Sequence, residues 1–404
     1  MASRRELLKT LSMLPLAGGL LGSEWLHGQP INKVLLEPAT RNFFKELGLR
    51  TFINAAGTYT SMTGSLMSKE VTSAISYGAT EYVNLDELQD KVGERIAELL
   101  ECEYATVSSG AFGAMTIGLA GVISGMDEKK VAQLPDTTGL KNEVILQESH
   151  NIVYTHALTN VGVKIITVKT AKELEKAINK NTAMLWFLNA NTDEGEIKQE
   201  AFVKLGKKHG IPTFIDCAAD VPPVENLYKF TKMGFDLVAF SGGKGLRGPQ
   251  SAGLLLGNKN LIKAARLHTP PRGHTIARGM KVNKEEVLGM LVALELYLQK
   301  DHIKEWKMWE SQIKLISDSV LSVKGVETEI HIPKYANHVP SLKVRWDQDI
   351  VKMTPNDVRS ELKNGHPSIE TVGNDKEIGI TTWMMEPGQE RLVAQRLREV
   401  LSNI

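Results

Sequence analysis

Ser241-Gly242-Gly243-Lys244-Gly245-Leu246-Arg247-Gly248-Pro249-Gln250 lies between two short apolar runs, 236–240 and 252–257. A β-rich run, a glycine turn and a second β-rich run read as strand, loop, strand. The loop is not a Walker phosphate loop, because the G-x-x-x-x-G-K-[ST] spacing is absent. Its glycines free Lys244 from helical constraint and let a ligand approach the backbone.

Further short apolar runs lie at 105–107, 143–147, 164–168, 183–188 and 212–217. Continuously apolar runs suit strands covered on both faces. Helical patterns separate them. Leu88, Val92, Ile96 and Leu99 repeat at helical spacing behind Asn84 and Glu87, a capping pair, and 200–210 ends at a glycine. With the two runs flanking the lysine loop this makes seven strands joined by crossovers, a doubly wound α/β domain over 51–265. A linker and long helix follow over 266–300, the helix starting near Lys284 behind Asn283 and Glu286. Beyond it, strands at 327–332 and 341–346 and helices at 354–363 and 389–402 make a smaller α+β domain over 301–404.

Ligands of such sheets sit outside the C-terminal strand ends. After 105–107 comes Ser108-Ser109-Gly110-Ala111, small residues opening a helix whose free N–H groups suit a phosphate. After 212–215 comes Asp216, a carboxylate that burial would penalise without a partner. A protonated ring nitrogen is one such partner, and a helix N-cap is the plainer alternative. Lys244 follows Asp216 by 28 residues. A phosphate cradle, a carboxylate and a lysine in that order are what pyridoxal 5'-phosphate needs: a phosphate site, a partner for the ring nitrogen and an amine for the aldehyde.

That order resembles the aspartate-aminotransferase-like superfamily, fold type I. The stretch Ser-Gly-Gly-Lys-x-x-x-Gly-Pro-Gln-Ser-Ala-Gly further resembles the selenocysteine synthase-like family of selenium transferases and ammonia lyases. Residues 53–58, 85–89, 277–282 and 387–390 agree with it. The resemblance implies an aspartate-aminotransferase-like large domain with a seven-stranded, mostly parallel sheet. It also implies that His150 stacks on the cofactor ring, the plainer alternative being a hydrogen-bonded loop histidine. Ser241 joins Ser108, Ser109, Gly110 and Ala111 around the phosphate, and Asn54, Arg247, Arg272, Arg278 and Lys281 face substrate. Selenium transferases resemble Arg-x-x-Arg where this chain has Arg278-x-x-Lys281, and lysine lacks the planar fork of arginine.

The resemblance implies a lyase removing water or ammonia from a β-hydroxy amino compound, an amino-sugar acid or an amino acid, through an α-carbanion. A selenium transferase acting on seryl-tRNA, an aminotransferase or an aldolase would share that carbanion. A cofactor-binding scaffold without activity is the non-enzyme alternative. No H-E-x-x-H or C-x-x-C pattern occurs, so no metal site is expected.

The first 28 residues read as an address. Arg4-Arg5 with Leu7-Leu8-Lys9 precedes an apolar run too short to span a bilayer, as in a twin-arginine export signal. The expected location is periplasmic, with the signal cleaved near Gly22-Ser23 or His27-Gly28, or retained as an anchor. Residues 29–50 form an arm. The 404-residue chain has formal net charge +1, and losing the signal removes three cations and two anions, leaving 0. Neutrality argues against a nucleic-acid partner, since phosphate-backbone binding depends on lysine and arginine. The expected partners are a small amino substrate, the export machinery and a second copy of the chain, since fold type I enzymes are usually dimers or larger.

Overall fold

A computed structural model describes residues 41–402. The export-signal reading lies outside the described residues, as does most of the arm. Within 41–51 a single helical turn, Phe43–Glu46, is capped by Asn42, whose side chain accepts the Lys45 N–H.

Residues from Phe52 onward form one compact unit. Its centre is a seven-stranded sheet of β2 (Tyr104–Ser108), β3 (Glu143–Gln147), β4 (Lys164–Val168), β5 (Thr182–Leu188), β6 (Thr213–Asp216), β7 (Leu237–Ser241) and β8 (Gly253–Gly257), in the order β2-β8-β7-β6-β5-β3-β4. All adjacent pairs are parallel except those of β8, which runs antiparallel to β2 and β7. A second, antiparallel sheet of β9 (Val326–His331), β10 (Ser341–Trp346), β12 (Val372–Gly373) and β13 (Ile378–Thr381) belongs to the smaller C-terminal part. Strand β1 (Ile53–Asn54), within the span that the sequence reading gives to the large domain, pairs in parallel with β11 (Ile369–Glu370) of the smaller part. Ile53 and Ala55 are buried there among Leu342, Ile369 and Ile380.

The apolar runs are strands because both faces of the large sheet are covered. Along β5, Leu185 and Phe187 point into one core and Met184, Trp186 and Leu188 into the other. Truncating a fully buried ring such as Phe187 to alanine would cost about 3–5 kcal/mol. Helix α1 (Leu85–Leu99) carries the predicted Asn84 cap, which accepts the Glu87 N–H at 3.0 Å. Its Gln89 is buried and bonds Thr106 and Val107 of β2, fixing helix to strand. Helix α2 (Gly110–Ser124) is apolar on nearly every side because the sheet and other helices surround it. Helix α3 (Lys284–Gln299) shows the expected Asn283–Glu286 capping box and buries Val287, Met290 and Leu294. Helix α4 (His302–Val320) was not anticipated, although its buried Trp309, Ile313, Ile316 and Val320 recur at helical spacing.

Candidate functional site

The strand register brings the predicted segments to one sheet edge. Ser108, ending β2, and Ser241, ending β7, both lie opposite Gly253 of β8. Asp216, ending β6, lies between Leu188 and Ala239 of its neighbours. Gly253 is required here, because a Cβ would come within 2.8 Å of the Ala111 nitrogen. The β8 backbone thus abuts the first turn of α2. That turn opens with Gly110 at φ +65°, and the Ser109 side chain makes no capping bond, leaving hydroxyl and N–H groups for an anion.

Asp216 is buried, and the bond recorded for its carboxylate is the Ala218 N–H to Oδ1 at 2.9 Å. Burial pushes this carboxyl above the usual aspartate range, opposed by the Ala218 N–H and the charge of Lys244. Burial holds the Lys244 amine below the ordinary lysine range, opposed by Asp216 and then Asp220. A depressed amine is the form in which a lysine acts as nucleophile or base.

The glycines around Lys244 serve a different purpose from the expected one. A Cβ on Gly245 would strike the Val221 carbonyl, and one on Gly243 would strike the Gln250 backbone. They let the loop fold tightly on its own protein, rather than opening space for a ligand. Ser65 Oγ donates to Gly243 O at 3.0 Å and Gln250 Nε2 to Thr60 O at 3.2 Å, so residues 60–65 cover the loop. Lys244 lines two openings. One, of about 280 Å³, lies between residues 56–60 and the edge of the small sheet at Gly379–Thr381. The other, of about 370 Å³, runs past Ser241, Gly64 and Gln250.

His150 is fully buried beyond β3. Its Nδ1 accepts the Leu188 N–H at 3.2 Å, Nε2 faces the Asn191 carbonyl at 3.2 Å, and its ring meets Phe187 edge-on at 4.4 Å. Burial drives its pKa down to about 4, so the ring is neutral with both nitrogens engaged. This is the setting of a hydrogen-bonded, neutral histidine.

The predicted substrate residues are not brought together. Asn54 shapes a turn: Oδ1 accepts the Ala56 and Gly57 N–H groups and Nδ2 donates to the Gly57 carbonyl. Arg247 donates to the Trp383 carbonyl at 2.5 Å, behind the wall of the smaller opening. Arg272 pairs with Asp86, which also holds the buried Arg266. Arg278 and Lys281 line a separate opening of about 500 Å³ with Pro270 and Lys284.

One residue beside the lysine was passed over. Asp220 is buried, accepts the Ala336 N–H at 3.0 Å and bonds the Asn189 side chain. Burial raises its carboxyl to about 6, against the pull of those two bonds. Asp220 stands four residues beyond Asp216, a spacing that by itself marks a turn, and Ala336 comes from the smaller part of the chain.

Residues 154–330 match a family model described as L-seryl-tRNA selenium transferase. The L-seryl-tRNA(Sec) selenium transferase of Aquifex aeolicus is 31% identical over 75% of this chain and 69% of that protein. The chain belongs to the L-seryl-tRNA selenium transferase family. The D-glucosaminate-6-phosphate ammonia lyase of Salmonella typhimurium is 28% identical, over 89% of this chain and 98% of its own length. A solved D-glucosaminate-6-phosphate ammonia lyase superposes with TM-score 0.79 at 27% identity, covering 90% of this chain and 99% of that one. Likeness to this selenium transferase family brings with it pyridoxal 5'-phosphate as cofactor. The buried, half-partnered Asp216 carboxylate, the depressed Lys244 amine and the open first turn of α2 fit that group.

Proposed function

We propose that this family member is a pyridoxal-phosphate lyase that removes water, ammonia or both from a β-hydroxy amino compound, an amino-sugar acid or an amino acid. The observation that carries this reading is Lys244, a half-buried amine of lowered pKa beside two buried carboxylates, opening on a cavity of about 280 Å³.

Bound pyridoxal phosphate supplies an electron sink for charge developing at the substrate α-carbon. Lys244 is the amine that would hold the aldehyde, and its lowered pKa would suit it to take up a substrate proton. Asp216 is the carboxylate that would pair with a protonated ring nitrogen. His150 would stack on the ring, while Ser108, Ser109, Gly110, Ala111 and Ser241 would hold the phosphate. Residues 60–65 fold over the lysine loop and help to hold its shape. The nearness in length and sequence to an ammonia lyase supports this outcome over selenium transfer, as does the neutral charge of residues 29–404.

Arg4-Arg5 and the apolar run behind them support export by the twin-arginine route into the periplasm, and the superfamily likeness supports a homodimer or larger assembly. The test is ammonia release by cofactor-loaded protein from D-glucosaminate, serine and threonine. Ammonia from at least one is expected. No ammonia from any, with amino transfer to a keto acid instead, would overturn the lyase reading.

A further inference from the structure

Removing water from a β-hydroxy amino compound breaks a C–H bond and a C–O bond, and a proton moves at each. The lowered amine of Lys244 suits it to take the α-proton. Hydroxide is a poor leaving group, so the β-oxygen needs a proton as its bond to carbon breaks. An amine held neutral has none to give until it has taken one. A second group, already protonated, lets both bonds break together.

Tyr59, Tyr154 and His331 line the cavity onto which Lys244 opens. His331 is held below its usual pKa by burial and by Lys343, and its Nδ1 is enclosed by the protein, so it is a neutral ring with no proton to spare. Tyr59 lies against its own turn. A Cβ on Gly57 would meet its Cε2 at 4.0 Å, and its carbonyl accepts the Met62 and Gly64 N–H groups.

Tyr154 is placed differently. The segment that carries it, 148–155, follows β3 directly and is held by its own bonds. Ile152 N–H donates to the His150 carbonyl at 3.0 Å, Thr155 N–H to the Ile152 carbonyl at 3.0 Å, and Thr155 Oγ1 to Asn151 Oδ1 at 3.0 Å. His150 and Thr155 are buried, whereas Tyr154 between them is 55% exposed. A phenol on a fixed backbone has two torsions to set, so little freedom is lost when its hydroxyl meets a ligand.

We propose that Tyr154 is a further catalytic residue, the acid that protonates the departing β-hydroxyl of the substrate. This deepens the lyase reading and rests on it, fixing the leaving group as a hydroxyl. In the step, the Lys244 nitrogen gains the α-proton, and the electrons of that C–H bond form the double bond between the α- and β-carbons. The C–O bond at the β-carbon breaks with its electron pair on oxygen. That oxygen takes the Tyr154 proton and leaves as water. The phenolate regains a proton from solvent on the exposed side of the ring.

The test uses the cofactor-loaded enzyme in deuterium oxide, with whichever of D-glucosaminate, serine and threonine releases ammonia from the parent. Tyr154→Phe keeps the ring and removes the acid. Ammonia release should fall about a hundredfold or more. Magnetic resonance of the recovered substrate should show deuterium entering the α-carbon at least about tenfold faster than ammonia appears. A residue that merely holds the cavity in shape would lower both together. In Lys244→Ala, which cannot take the α-proton, adding Tyr154→Phe should weaken calorimetric binding of the same compound about three- to tenfold. Ammonia release within about tenfold of the parent, an equal loss of exchange and ammonia, unchanged binding, or the same split in Tyr59→Phe instead would each overturn the proposal and leave the lyase reading standing. Ammonia from none of the three compounds with the parent enzyme would remove the lyase reading, and this inference with it.

Discussion

Asp220 Oδ1 accepts the backbone N–H of Ala336 at 3.0 Å, joining two points 116 residues apart in the chain. A second bond, from Asn337 N–H to Ala219 O at 2.7 Å, lies beside it. Asn337 lines the cavity that Lys244 opens onto, so this junction seats one wall of that cavity against the strand end that carries Asp216.

The junction has a pH signature. Burial raises the Asp220 carboxyl to about 6, above its value near 3.9 in an unfolded chain. Between those values the folded state holds the proton more tightly than the unfolded state. Stability therefore falls as pH rises through that window and stays lowered above it. Asp220→Asn keeps an acceptor for Ala336 and removes the ionisation. In denaturant titrations, the cofactor-free variant is expected to exceed the parent by about 2–3 kcal/mol at neutral pH, with the gap closing toward pH about 4. Asp220→Ala, which also removes the acceptor, should be less stable than Asp220→Asn. A gap that does not change with pH would contradict the assignment.

Asp216→Asn retains the acceptor for the Ala218 N–H and loses the charge. Activity should fall by about two to three orders of magnitude, the scale of removing a preorganised electrostatic partner. The circular dichroism of the fold should be unchanged. A loss under about tenfold would mean that Asp216 does not face the reacting group.

His150 does not titrate in the working range, since its pKa lies at about 4. His150→Phe removes the acceptor of the Leu188 N–H and should cost about 1–3 kcal/mol. The pH–rate profile of the residual activity should keep every limb of the parent profile above pH about 5. A limb that disappears in the variant would show that His150 carries a proton.

Arg272 is claimed by Asp86, and both side chains are about a third exposed, at 35% and 36%. Arg272→Ala should therefore lower stability by no more than about 1 kcal/mol and leave KM within about twofold. A tenfold rise in KM would return Arg272 to the substrate site.

The large sheet was legible because most of its strands are covered on both faces and read as short apolar runs, the edge strand β4, which exposes Lys164 and Thr167, being the exception. The small sheet was only half legible. Its longer strands, β9 and β10, were read within a residue, whereas β12 and β13 are short and partly exposed and carry too little pattern. Strand β1 is two residues long, and nothing local to Ile53 announces a partner at Ile369. Lys244, Asp216 and the turn opening α2 were legible because each follows its own strand. Asp220 was not, because its contact with Ala336 arises only where the smaller part of the chain meets the strand ends. Charge type alone could not show that Asp86 and the Trp383 carbonyl occupy Arg272 and Arg247.

The central claim is that Lys244 bonds the aldehyde of pyridoxal phosphate, and chemical capture tests it most directly. Borohydride reduction of the cofactor-loaded enzyme, followed by proteolysis and mass spectrometry, is expected to place the pyridoxyl group on Lys244 alone, and Lys244→Ala should abolish both the label and the visible absorbance band. A label on any other lysine, or an undiminished band in Lys244→Ala, would contradict it.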